Sequence, residues 1–209
     1  ASTAVPGATF KDFGLPAIAT DGFDLATLAT LDKEKGVVAA GNDTALLYSS
    51  NGAAFTAFAV ERDPYGASTF AGFSDPIVNE LGRPAFFADL KTGKKKRRAL
   101  IGGLSVGSLE RIAMVGDVAT DQSGATPSDD SAPRWGKLLN FAMPGGNSLG
   151  PIFVGQLTGK GVSRKNNIGI WAVDSEGFLR RLLRTGDVLG DRTVKSITLL
   201  KAVPTAFAA

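Results

Sequence analysis

Residues 69–90, TFAGFSDPIVNELGRPAFFADL, decide the fold. They read as two strands joined by a four-residue turn. Phe70, Phe73, Ile77 and Val78 precede the turn, and Ala85, Phe86, Phe87 and Leu90 follow it. The turn itself is Asn79-Glu80-Leu81-Gly82. Asn suits the first position of a type I turn because its side chain bonds the local backbone, and Gly at the fourth accepts the exit geometry. Pro76 and Pro84 bracket the turn and fit strand ends better than central ladder positions.

The pattern recurs in both directions. Thr9 to Ile18 lines up with Thr69 to Val78, sharing Thr, both Phe and Pro, and its turn Ala19-Thr20-Asp21-Gly22 keeps the Gly. A third copy runs Lys137 to Pro144, with the turn Asn147-Ser148-Leu149-Gly150 and then Ile152-Phe153-Val154. A partial fourth, Thr193 to Ile197, follows Gly190. The copies begin at 9, 69, 137 and 193, and self-similarity at such spacing signals a repeat architecture.

The rest of each copy also matches. Phe55 to Asp63, Leu109 to Asp117 and Leu179 to Asp187 read as strands ended by an Arg-Asp or Gly-Asp turn. The Asp in such a turn can bond nearby backbone amides. Ahead of them lie shorter strands, Thr44 to Tyr48, Ala99 to Ile101 and Gly169 to Val173. One repeat is therefore four consecutive strands, A to D, in an up-and-down meander. The predicted class is all-β: three four-stranded antiparallel, blade-like repeats at 9–68, 69–136 and 137–192, with a trailing strand in 193–209, within one domain. Trp171 aligns with Ile101 and Leu46, which predicts a core position. Two stretches break the regularity: Leu31 to Asn42 between strands B and C, and the polar Thr120 to Arg134 between D and A.

Composition limits the chemistry. The 209 residues are 44% hydrophobic and 21% charged, with Gly 26 and Pro 10, as suits a turn-rich globular chain long enough for a sizeable core. There is no Cys, which removes disulfides, thiolate metal sites and thiol nucleophiles. There is no His, which removes Ser-His-Asp catalysis and the usual transition-metal ligand. No apolar run is long enough for a membrane-spanning helix. The start, Ala1-Ser2-Thr3-Ala4, looks like a processed exported chain.

Asn79-Glu80-Leu81-Gly82-Arg83-Pro84-Ala85-Phe86 resembles the Asn-x-x-Gly-x-x-Ala-Phe signature of bacterial exported tandem-repeat surface proteins. Those proteins also carry Gly-Asp at the repeat end and Gly-Ile-Trp-like strands in its middle, matched here by Gly116-Asp117, Gly186-Asp187 and Gly169-Ile170-Trp171. Only the second copy has the full signature; the third has Phe153-Val154 for Ala-Phe, and the first lacks the Asn. The resemblance implies blade-like repeats and an extracellular or cell-surface location. It implies no activity.

Several candidate sites stand out. Lys94, Lys95, Lys96, Arg97 and Arg98 form a basic run between strands B and C, and Lys160, Arg164 and Lys165 occupy the corresponding loop of the third repeat. Such runs bind phosphates, nucleic acid or acidic polysaccharide, or simply keep a loop solvated. Aspartates of the D–A loops, among them Asp117 and Asp187, should share that end and answer part of the charge. Trp135, among polar residues, is the better exposed tryptophan and the candidate sugar platform, although core or interface packing is the favoured reading for both tryptophans. Asp121, Asp129 and Asp130 do not follow a calcium-loop order, and Asp174 and Glu176 sit in a tight turn. No metal, cofactor or catalytic residue is expected.

These readings predict a non-enzymatic structural or interaction module. Three repeats are too few to close a propeller, and a lone apolar strand at 193–200 invites strand addition to another chain. The expected assembly is a homo-oligomer, either a closed dimer or an open head-to-tail array. Other surface proteins or an acidic polysaccharide are the further expected partners, and a binding propeller for an acidic glycan or nucleic acid is the alternative function.

Overall fold

Short alternating segments between glycine-rich turns can satisfy their backbones and bury one face only by pairing into sheets. The structure, a computed structural model, describes residues 8–19, 24–39, 41–103, 105–127, 132–145 and 150–199. Sheet I contains β1 (Phe10–Phe13), β2 (Ala17–Ile18), β3 (Leu25–Leu31), β4 (Thr44–Ser49) and β5 (Thr56–Val60). Sheet II contains β6 (Pro64–Tyr65), β7 (Ser68–Phe73), β8 (Ile77–Val78), β9 (Pro84–Thr92), β10 (Lys95–Gly103) and β11 (Leu109–Met114). Sheet III contains β12 (Arg134–Ala142), β13 (Ile152–Thr158), β14 (Ile168–Val173) and β15 (Leu179–Arg184). A last ladder joins β16 (Val188–Leu189) to β17 (Arg192–Thr193). The fold is all-β, and sheets I to III are antiparallel meanders in which β1 with β2, and β7 with β8, share the role of strand A. No helix among the described residues is long and apolar enough to cross a membrane.

The registers set corresponding positions. Phe10, Phe70 and Trp135 lie opposite Leu31, Leu90 and Leu157. Farther along strand B, Thr27, Phe86 and Phe153 lie opposite Leu47, Ile101 and Trp171. Trp171 thus corresponds to Leu47 rather than Leu46, and it is fully buried as expected. In all three sheets the C–D ladder then shifts at one place, leaving Phe58, Ile112 and Leu182 as the extra residue of a β-bulge.

Alternation gives each sheet two faces. Leu28, Leu46, Phe58 and Ala59 on the forward face of sheet I pack with Phe70, Phe86, Leu90, Ile101 and Met114 on the rear face of sheet II. Phe87, Leu100, Ile112 and Ala113 on the forward face of II pack with Trp135, Phe153, Leu157 and Trp171 on the rear face of III. The two largest clusters of the core are therefore successive inter-sheet layers, with smaller ones around Leu47, Val38 and Val78. Gly169 has a specific reason to lack a side chain: a Cβ there would lie 2.6 Å from the Trp171 ring, which stacks on Phe153 at 5.6 Å between centroids.

The D–A corners repeat atom for atom. At the first, Arg62 N donates to Phe70 O (2.9 Å), Asp63 N to Val60 O (3.0 Å) and Phe70 N to Asp63 O (3.1 Å). At the second, Gly116 N donates to Trp135 O (2.7 Å), Asp117 N to Met114 O (3.0 Å) and Trp135 N to Asp117 O (3.1 Å). At the third, Gly186 N donates to Val194 O (2.9 Å), Asp187 N to Arg184 O (3.1 Å) and Val194 N to Asp187 O (2.9 Å). Positive φ at Arg62 (76°), Gly116 (94°) and Gly186 (89°) makes the bend, and two of the three positions use Gly, for which that conformation is unstrained. Val194 is thus the counterpart of Phe70 and Trp135. Residues 195–199 continue without a ladder to any described residue, and Leu199 O accepts from Asn140 Nδ2 at 3.1 Å. Leu200, the end of the expected trailing strand, lies outside the described residues.

Candidate functional site

The basic run is a strand, not a loop. Only Gly93 and Lys94 form the turn, with Gly93 at φ 59° as a two-residue hairpin turn needs. Lys95, Lys96, Arg97 and Arg98 open β10 and pair with Thr92, Lys91, Leu90 and Asp89. That register explains the charge pairing. Asp89 sits directly opposite Arg98 and diagonal to Lys96, and it meets them at 3.6 and 3.1 Å. Arg97 reaches Asp117 at 3.5 Å, where Arg111 also arrives at 3.6 Å. Arg98 further lies 5.5 Å from the Phe87 ring centroid. Lys91, Lys94 and Lys95 have no carboxylate within ion-pair distance among the described residues. The hairpin tip is therefore cationic while its base is neutralised. Glu61, Arg62, Ser68, Thr69 and Lys91 line a cleft beside it.

Lys160, Arg164 and Lys165 lie exposed in the B–C loop of sheet III, which Ser163 and Asn166 hold by a bond from Ser163 N to Asn166 Oδ1 (2.6 Å). They stand at the same end of the strands as Lys94, and they too form no ion pair among the described residues. Trp135 is a correction. It is 3% exposed, locked edge-on to Phe153 and Trp171 at 5.9 Å each, so it offers no surface for a sugar. Strand A of sheet III begins at Arg134, inside what reads as a polar linker, and this puts Trp135 at the buried anchor position.

The polar stretch after Ala119 is anchored to sheet III. Trp171 Nε1 donates to Thr120 O (3.0 Å), Arg181 N to Asp121 O (2.9 Å) and Arg180 to Ser123 O (2.8 Å). The Ser123 hydroxyl and then the Ser123 and Ala125 amides hold the Asp121 carboxyl below its ordinary range. Asp129 and Asp130 lie outside the described residues. The Arg180 guanidinium, followed by the amides of Phe178 and Glu176, keeps the Asp174 carboxyl below the usual carboxylate range. Arg180 also meets Glu176 at 3.4 Å.

Asn79 does what its position predicts, and more. Its Oδ1 accepts from Leu81 N and Arg83 N, both at 3.1 Å, and its Nδ2 donates to Pro144 O at 3.3 Å, tying sheet II to sheet III. Gly82 has φ 67°, and a Cβ there would lie 2.6 Å from Tyr48 Oη and 2.8 Å from Asp24 Oδ2 of sheet I. Gly150 is confined differently: its φ is outside the left-handed region, and a Cβ would meet Val173 Cγ2 at 2.7 Å. Asn147 lies outside the described residues. Asp187 Oδ2 accepts from Arg184 N at 2.8 Å, while Asp117 spends its carboxylate on arginines. Asp89 escapes a reading by composition. Once the Gly93-Lys94 turn fixes the register, it is the residue that must face Arg98.

Among the described residues no three carboxylates converge as metal ligands would. No curated protein and no solved structure matches the chain. A family model does match, over residues 1–206, and the chain belongs to that family, described as a family of unknown function, DUF7453.

Proposed function

We propose that this protein is a non-enzymatic structural module of the cell exterior, which assembles with copies of itself through its sheets and its terminal strand. The observation that carries the reading is the third corner. Its hydrogen bonds start a fourth strand A at Val194 as the earlier corners start β7 and β12, yet 195–199 have no strand B among the described residues. An extended segment with unpaired donors and acceptors is a template for another chain. The surface-protein signature at Asn79 to Phe86 supports the location. The test is mass in solution. The full-length protein should be oligomeric, and deletion of 194–209 should release monomer; a monomeric parent, or an oligomer indifferent to the deletion, removes the reading.

A second reading is favoured by one feature, the cationic hairpin tip of Lys91, Lys94 and Lys95 beside a cleft. In that reading the hairpin holds an acidic polysaccharide, with affinity falling steeply as salt rises. Salt-sensitive retention on heparin resin tests it.

A further inference from the structure

Three corners held by the same hydrogen bonds need the same backbone conformation at one residue, and the chain fills that place unequally. Gly116 and Gly186 take φ 94° and 89° without strain, whereas Arg62 holds φ 76° with a long side chain attached. The one other non-glycine with positive φ among the described residues is Asn51, whose short amide suits that region. Arginine has no such local compensation. Glycine meets the need of the fold at two corners, so at the first the arginine is kept against backbone strain. What it adds there is a guanidinium.

The guanidinium has a defined place. It lies against the backbone of Gly41, where a Cβ would come within 3.2 Å of Arg62 Nη2 and 3.5 Å of Nε. Gly41 and Arg62, with Glu61, Ser68, Thr69 and Lys91, line the cleft of about 810 Å³ at the junction of sheets I and II. Glu61 is the one carboxylate of that lining, and its Oε2 accepts from Thr44 Oγ1 at 3.0 Å. Arg62 and Lys91 are its two cations, and the hairpin tip sets Lys94 and Lys95 beside them. The only ring in the lining is Phe70, which is 4% exposed, so the cleft offers no aromatic face on which a nucleobase could stack.

We infer that Arg62 is the anion-recognising residue of this cleft, its planar fork holding one carboxylate or sulfate of an acidic polysaccharide whose chain continues over Lys91, Lys94 and Lys95. The inference rests on the second reading above and adds one specific subsite to its diffuse attraction. A guanidinium meets an oxyanion through two parallel N–H donors, which the point charge of a lysine cannot copy. The surrounding ammonium groups supply long-range, salt-sensitive attraction, and the fork supplies the short-range fit.

The other two corners supply the control. Full-length Arg62→Gly makes the first corner like them, so it should melt at or above the parent's temperature. It should also lose affinity about 10-fold or more in calorimetric titration at low salt. The titrants are polygalacturonate, which carries only carboxylates, and dextran sulfate, which carries only sulfates; a loss with one polymer names the acidic group, and a loss with both assigns the shared oxyanion. Arg62→Lys keeps the charge and the strain and should retain only part of the affinity. Arg192→Ser removes one exposed cation beyond sheet III and should bind as the parent does. A parent that binds neither polymer overturns the polysaccharide reading and this inference with it. A parent that binds, with Arg62→Gly its equal, overturns the subsite alone. Parental affinity in Arg62→Lys overturns the fork, and an equal loss in Arg192→Ser reduces the effect to net charge and overturns it too. A clearly lower melting temperature in Arg62→Gly makes the arginine a structural tie and likewise overturns the inference.

Discussion

Phe86 is fully buried between the edge of Phe58, from the preceding sheet, and that of Phe73, in its own strand A, at 5.8 and 6.0 Å. Removing its ring would open a cavity in the I–II layer, so Phe86→Ala should cost about 3–5 kcal/mol in chemical denaturation. A loss below about 1 kcal/mol would mean that the layer does not depend on this side chain. Arg184 makes the opposite case. It occupies the place of Val60 in sheet I and Met114 in sheet II, both buried and apolar. Its buried Nη2 has no partner among the described residues, although its Nε donates to Asn166 O. Burial, and then the nearby Arg181, push its guanidinium below the ordinary pKa. Arg184→Met should therefore raise stability by about 1 kcal/mol, the bond to Asn166 being lost and an unpaired buried donor removed. A fall in denaturation midpoint would show that the Asn166 bond outweighs the desolvation.

At the scale of the element, the β9–β10 hairpin joins a structural base to a cationic tip. Replacing Lys94, Lys95, Lys96, Arg97 and Arg98 by Ser should keep the fold, because the ion pairs to Asp89 and Asp117 are partly exposed and worth well under about 1 kcal/mol each. Circular dichroism should be unchanged, melting slightly lower, and any retention on heparin abolished; a variant that fails to fold would make the base of the hairpin a structural requirement. The hairpin also shows what is legible in a sequence. The four-strand order, the corner aspartates and the Asn79 turn are visible because their chemistry is local: a side chain bonding a backbone a few residues away. The bulge at Phe58, Ile112 and Leu182 is not visible, because any residue can occupy it and only the partner strand defines it. The B–C ladders, again a property of the partner strand, set Trp171 level with Leu47 and not with Leu46. The exposure of Trp135 is hard to read for a related reason. Ser131, Pro133 and Arg134 suggest a loop, whereas the corner bond from Gly116 N to Trp135 O fixes the tryptophan as a core anchor.

At the scale of the whole molecule, each sheet has an even number of main strands, so its strand A begins and its strand D ends at one edge. Backbone hydrogen bonds at the corners of Arg62, Gly116 and Gly186 join those ends. A tether pulled at both ends would load every sheet from a single side and open its ladders one bond at a time, as a zip opens, instead of shearing a whole ladder at once. Each sheet should then fail separately and at low force, releasing about 60 residues, or roughly 200 Å of extended chain, per event. Optical tweezers would record a sawtooth of such steps. One large rupture would mean that the inter-sheet layers yield together. A protein built this way lengthens in stages under tension, which makes it an extensible link and a poor rigid strut.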